Sequence, residues 1–177
     1  SKTSPYALYQ FWLNTADADV YKFLKYFTFL SVDEIGAIQR SDRESNAKPE
    51  AQGLLAKEVT ELLHGSDGRE AATRISEALF SGDISHLTAG DLAQLELDGL
   101  PCTELEGAGQ GIVEVLVATE LAKSNKMARE FIGNNAVSVN GQVIDSTDFE
   151  LVDGNALNGK YFVIRRGKKQ FHLVKNS

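Results

Sequence analysis

The sequence predicts an α+β protein in three stretches. An all-helical domain covers residues 1–98, a linker covers 99–111, and a small α/β domain covers 112–177, with two helices docked on a small, mostly antiparallel sheet. Three observations carry this reading. Apolar residues recur at helical spacing behind hydroxyl and carboxylate caps through the first hundred positions. From Val137 onward the pattern changes to alternation around an Asn140-Gly141 turn. The charge changes too: residues 1–111 hold nine Lys and Arg against eighteen Asp and Glu, and residues 112–177 hold nine against seven.

Each element has a local cause. Ser4-Pro5 sets a hydroxyl cap before a proline at the first helical position, and YALYQFWL behind it is apolar nearly all round, as in a helix buried on more than one side. A second helix begins at Thr15 to Asp17, with Val20, Phe23, Leu24 and Phe27 on one face. Ser31 and Glu34 form a capping box for a third. Glu50 to Leu63 repeats the pattern and closes at Gly65, Asp67 to Phe80 follows, and Thr88 with Asp91 starts a short helix. GLPCTELEGAGQG, from Gly99 to Gly111, has turn residues without periodicity and reads as the linker; its glycines lack the strand and spacing of a dinucleotide fingerprint.

Beyond the linker, Ile112, Val115, Leu116 and Thr119 line one face of a helix expected over 112–122. Ser124 caps another, whose Met127, Phe131 and Ile132 face inward and whose Lys126 and Arg129 face outward. Val137 to Val139 alternates as a half-buried strand before Asn140-Gly141. Tyr161 to Val174 forms a second hairpin through Arg166, Gly167, Lys168 and Lys169.

Composition narrows the function. No apolar run approaches the ~20 residues of a membrane span, so no membrane partner is expected. The first residues lack the basic start and cleavage site of a signal peptide, and the single Cys102 fits a reducing compartment, so a cytoplasmic location is the expectation. His64, His86 and His172 are far apart and lack metal-ligand spacing, so no metal is expected, and no nucleophile stands beside a base. No catalytic residue is therefore assigned. The basic end says more. From Lys160 onward there is no acid, only Lys160, Arg165, Arg166, Lys168, Lys169 and Lys175, with His172 among them. Such a face can neutralise phosphates, and Tyr161, Phe162 and Phe171 could stack on unpaired bases. The same residues could equally fill the core face of a hairpin whose other face is solvated.

Two regions resemble known families. Lys123 to Ile144, with Ala128-Arg129 in a helix and Val137-Ser138-Val139-Asn140-Gly141 after it, resembles the RNA-binding domain named after the fourth protein of the small ribosomal subunit, here S-four-like. Typical members have a further Arg near the helix start and Gly-Gly before the strand, where this chain has Asn125 and Asn134-Asn135. SPYALYQFWLNTADADVYKFLKYFTFLSVDEI closely resembles the start of the carboxy-terminal half of bacterial tyrosyl-tRNA synthetases. KPEAQGLLAKEVTELLHG, SEALFSG and RRGKKQFHLV fit that family in the same order.

The resemblance covers essentially the whole chain. It implies the tRNA-recognition portion of a ligase whose catalytic domain, with its ATP motifs, lies upstream. The chain itself would hold no cofactor and be inactive alone, ATP belonging to the full-length enzyme. Its partner would be tyrosine tRNA; it would be a monomer, and the parent a homodimer through the catalytic domain. In this family the first anticodon base is a guanine or a modified guanine, whose N1 and N2 donors a carboxylate can accept. The TADAD segment offers Asp17 and Asp19, and the family pattern makes Asp17 the candidate reader, although it could as well cap its helix. Lys126, Arg129, Arg165, Arg166, Lys168 and Lys169 are the expected contacts to the anticodon stem and the long variable arm. The alternatives are an RNA-binding or ribosome-associated factor outside the synthetases, and a helical protein-interaction module docking through SPYALYQFW.

Overall fold

A computed structural model describes residues 3–47, 49–106 and 109–176. The chain forms two compact units that divide between Ser76 and Glu77. In the first, helices α1 (Pro5–Leu13), α2 (Asp17–Phe27) and α3 (Val32–Glu44) precede α4 (Ala51–Ser81), which runs into the second unit. The starts follow from the caps: Ser4 Oγ accepts from the Ala7 amide, and Ser31 and Glu34 close a reciprocal capping box. At Gly65 the backbone adopts φ 73° and ψ −179°, so α4 is two helical segments meeting at a break, as the glycine predicts. Val20 and Leu24 of α2 pack with Ile35 of α3 and Ala51, Leu55 and Val59 of α4. Helix α1 buries Tyr6 and Tyr9 but leaves Phe11 67% exposed, so it is covered less completely than its sequence suggests. Trp12 gathers Phe11, Phe23 and Phe27 around it at centroid distances of 5.2, 5.7 and 5.2 Å.

The second unit is built on a five-stranded sheet of order β1-β7-β6-β3-β4. Its strands are β1 (Cys102–Leu105), β3 (Val137–Val139), β4 (Gln142–Val143), β6 (Tyr161–Arg166) and β7 (Gln170–Asn176); β2 (Gln110–Gly111) pairs separately with β5 (Glu150–Leu151). All pairings are antiparallel except that of β1 with β7. Residues opposite one another share a face. Phe162 and Ile164 of β6 and Val174 of β7 therefore point with Val137 and Val139 into a core closed by α6 (Ile112–Ala118) and α7 (Asn125–Gly133). Tyr161, Val163 and Leu173 occupy the opposite face and are buried as well. There the segment after α4 covers them, comprising a short 3-10 turn at Ile84–His86, α5 (Ala89–Gln94) and a π turn at Leu95–Gly99. Glu96 ties this cover down: its carboxylate accepts from the Tyr161 hydroxyl and, at 2.9 Å, from Lys175 Nζ.

These features correct the expected boundaries. Residues 77–98, assigned from sequence to the first domain, belong to the second unit, and the expected linker over 99–111 contains β1 and β2. Strand β1 is a short edge strand carrying Thr103 and Glu104, and its partner β7 lies about seventy positions on. No local periodicity marks such a pairing. Gly107 and Ala108 of that stretch lie outside the described residues.

Helix α6 stops at Ala118, one turn short of expectation. Thr119 Oγ1 returns to the Val115 carbonyl at 2.8 Å, and Glu120 takes φ 58°. Asn135 has φ 53° behind the Asn134 cap of α7, a left-handed backbone that asparagine adopts more readily than most residues. Asn140 and Gly141 have φ of 50° and 84°, the two positive values of a type I′ hairpin turn.

Gly141 is doubly constrained, because a Cβ there would overlap the Gly82 carbonyl oxygen. Gly141→Ala is expected to destabilise the second unit by more than about 1 kcal/mol, read by denaturant unfolding. Glu96 supplies a pH test. The Tyr161 hydroxyl, then Lys175, hold its carboxyl below the usual range. A depressed carboxyl contributes stability above its unfolded pKa of about 4.3, and that contribution is lost as pH falls through the lower folded value. The Tm gap between wild type and Glu96→Gln should be constant near neutrality and shrink below about pH 4.

Candidate nucleic-acid interface

In the first unit a depression of about 440 Å³ opens between the start of α2 and the end of α3, within the range of roughly 300–1,000 Å³ usual for ligand sites. Asp17, Tyr21, Gln39, Asp42, Arg43 and Pro49 line it. Asp17 does not cap its helix: the N-cap is Ala16, without a side-chain bond, and Asp17 is the first helical residue. Its Oδ1 instead accepts from Gln52 Nε2 at 2.6 Å, and the same amide reaches the Thr15 carbonyl at 3.4 Å. Gln52 is only 8% exposed, so the carboxylate is held from below while remaining open to solvent itself. Asp19, also in the first turn of α2, is exposed and does not line the depression.

Asp42 organises the far wall. Its Oδ2 accepts from the Tyr21 hydroxyl at 2.8 Å and the Ala51 amide at 3.3 Å, and its Oδ1 accepts from the Glu50 amide at 2.8 Å. One carboxylate thus fixes the tyrosine and satisfies amides at the start of α4. Burial, followed by the bond to Asp42, pushes the Tyr21 hydroxyl up to about 12, so it stays protonated and donating throughout the neutral range. Tyr21, Gln39, Arg43 and Gln52 were absent from the sequence-derived site: Tyr21 follows Asp17 by four residues on α2, a helical spacing that could have signalled it, whereas the others lie on α3 and α4, where no spacing rule links them to Asp17.

A second concavity in this unit is of another kind. It measures about 430 Å³ and is walled by Leu8, Trp12, Phe27, Phe29, Leu62 and Leu63, with Phe29 90% exposed. Its nearly apolar wall has few groups to meet a base edge.

In the second unit the strand alternation sorts the basic residues. Arg166 lies opposite Gln170 on the face of α6 and α7, and its guanidinium sits 4.9 Å from the Phe131 ring centroid. Arg165, one residue earlier, is on the other face beside Gly82. The adjacent pair therefore does not form one patch. Arg166 and Lys169 share a depression of about 580 Å³ with Thr103, Glu120, Phe171 and His172. Arg166 Nε is buried and has no hydrogen-bond partner among the described residues. His172 is bonded to Thr103 Oγ1 through Nε2 at 2.8 Å, and burial lowers its pKa, which favours the neutral ring. Lys168 is exposed in the β6–β7 turn, and Lys126 and Arg129 are exposed on α7. Of the aromatic residues offered for stacking, Phe162 and Tyr161 are buried and Phe171 is partly open. The core reading holds for the first two, whereas Phe171 borders the depression.

Among the described residues no helix is long and apolar enough to cross a membrane, and no cluster of three potential metal ligands occurs.

Comparison with known proteins agrees across the chain. Residues 91–174 match the family model described as the tyrosine–tRNA ligase SYY-like C-terminal domain, and residues 1–81 match that of the class I tRNA synthetases (W and Y). The tyrosine–tRNA ligase of Aliivibrio fischeri strain MJ11 is 64% identical over 173 residues, which are 98% of this chain and 41% of the relative. That of Chromobacterium violaceum is 55% identical over the same shares, and that of Erwinia tasmaniensis is 48% identical. The chain thus spans about two fifths of the length of the relatives it matches. A solution structure of a tyrosyl-tRNA synthetase C-terminal domain is 39% identical, with 56% of this chain and 100% of that one covered, at a TM-score of 0.45. The chain belongs to the tyrosine–tRNA ligase family and corresponds to the carboxy-terminal part of its bacterial members.

Proposed function

We propose that this chain recognises tyrosine tRNA for a class I ligase. The first unit would bind the anticodon and the second would hold the adjoining stem and the long variable arm. In that reading the remainder of the polypeptide, absent here, forms tyrosyl-adenylate from tyrosine and ATP and then transfers the tyrosine to the tRNA. It works in the cytoplasm as a homodimer joined through its catalytic part, whereas this chain alone is monomeric and inactive.

The presentation of Asp17 carries the proposal. A carboxylate at the rim of a depression with room for a nucleobase, held through one oxygen by a buried amide, keeps its other oxygen for a ligand. Guanine suits it, because its N1 and N2 groups are two adjacent donors. The basic residues of the second unit act as positioning contacts, since phosphate carries no direct sequence information. Arg166 and Lys169 are the leading pair, joined by Lys126, Arg129 and Lys168. Arg165, turned to the covered face, contributes less.

Binding of the chain to tyrosine tRNA near physiological salt tests the proposal. Asp17→Ala should weaken binding about tenfold to tRNA with guanine at the first anticodon position, and hardly at all when that base is changed. An equal loss for every base would remove the reader role. Reversal of Arg166 and Lys169 to Glu should flatten the salt dependence by about 0.7–0.9 in log-log slope for each phosphate no longer neutralised. Arg165→Gln should leave the slope unchanged.

A further inference from the structure

We propose that Arg43 determines specificity in the Asp17 depression by donating to the O6 edge of the guanine whose N1–N2 edge Asp17 accepts. The inference rests on the reading of Asp17 given above and extends it to the opposite wall.

The depression has two chemically opposite sides. At the start of α2 stands the carboxylate of Asp17. On the last turns of α3 stand the amide of Gln39 and the guanidinium of Arg43, four residues apart and so on one helix face. Among the described residues the Arg43 guanidinium has no hydrogen-bond or ion-pair partner, although Asp42 is its neighbour in sequence. Asp42 is occupied by Tyr21, Glu50 and Ala51. The charges of both Arg43 and Asp17 are felt at the Tyr21 hydroxyl, which locates them around the same space. Tyr21 and Pro49 supply flat or apolar surface between the two charged sides.

A ligand that meets both sides must carry adjacent donors on one edge and acceptors beside them. Guanine does so, with N1–H and N2–H₂ followed by O6 and N7. Adenine places an acceptor at N1, against the carboxylate, and a donor at N6, against the guanidinium. Uracil has a single donor between two acceptors. The carboxylate alone would select against adenine but would leave the acceptor edge unread. The guanidinium completes the discrimination.

The experiment uses tyrosine tRNA whose first anticodon base is guanine, hypoxanthine or 6-thioguanine. Hypoxanthine lacks the N2 group that Asp17 accepts. 6-Thioguanine keeps both donors and weakens only the acceptor at position 6. Wild-type chain should bind both analogues about tenfold more weakly than guanine. Arg43→Leu should bind the guanine tRNA about tenfold more weakly and lose the 6-thioguanine penalty while keeping the hypoxanthine penalty. Arg43→Lys, which retains charge and helix-end placement, should restore part of the binding, and thermal melting checks that both variants fold.

Equal weakening for all three bases would make Arg43 a general electrostatic contact and overturn the proposal. So would an Arg43→Leu chain that binds like wild type. A wild-type chain with the 6-thioguanine penalty but no hypoxanthine penalty would remove the Asp17 reading instead, so the two failures can be told apart.

Discussion

Strands β6 and β7 are buried on both faces, and this constraint arranges most of the second unit. One face is closed by α6 and α7 and the other by the turns and helix between Gly82 and Gly99, secured by the bonds of Tyr161 and Lys175 to Glu96. A central strand covered twice has no solvated face for its cations. Arg166 therefore emerges at the strand end, where it can lie over Phe131, and Arg165 emerges on the opposite side beside Gly82. A run of basic residues that is continuous in sequence becomes two separate surfaces in space. The overall net charge of −7 conceals this local placement.

In the first unit an acidic side chain stands at a helix start without capping it. A carboxylate at the start of a helix is easily consumed by the helix's own amides. Here Ala16 occupies the cap position, and a glutamine from another helix steadies one oxygen of Asp17. Asp42, by contrast, is fully employed in structure, joining α2, α3 and the start of α4. The two aspartates line one depression, yet Asp42 accepts bonds from two helices and Asp17 from the Gln52 amide.

What was legible in the sequence depended on distance along the chain. The caps at Ser4, Ser31, Thr88 and Ser124 and the turn at Asn140-Gly141 involve neighbours within four residues, and each appears where the local chemistry puts it. Strand β1 did not announce itself, because its identity lies in a pairing with β7. The domain limit moved for the same reason, since the burial of residues 82–99 is decided by a sheet that the chain builds later. The family pattern singles out Asp17 as a candidate, but the amide that holds its carboxylate comes from Gln52, thirty-five positions away. That Asp17 is not a cap could be seen only from the Ala16 backbone.

The strand order has a consequence for synthesis. Strand β7 is last in the chain but second in the sheet, between β1 and β6. While a ribosome extends the chain, β1 leaves first and must wait through five further strands for its partner. The outer hairpin of β3 and β4 can close early, but β6 has an open side until β7 arrives. The second unit thus has a high share of distant pairings, which slows folding and leaves edges open to wrong partners in the interval. The polar residues Thr103 and Glu104 on β1 suit a strand that must stay dissolved while it waits.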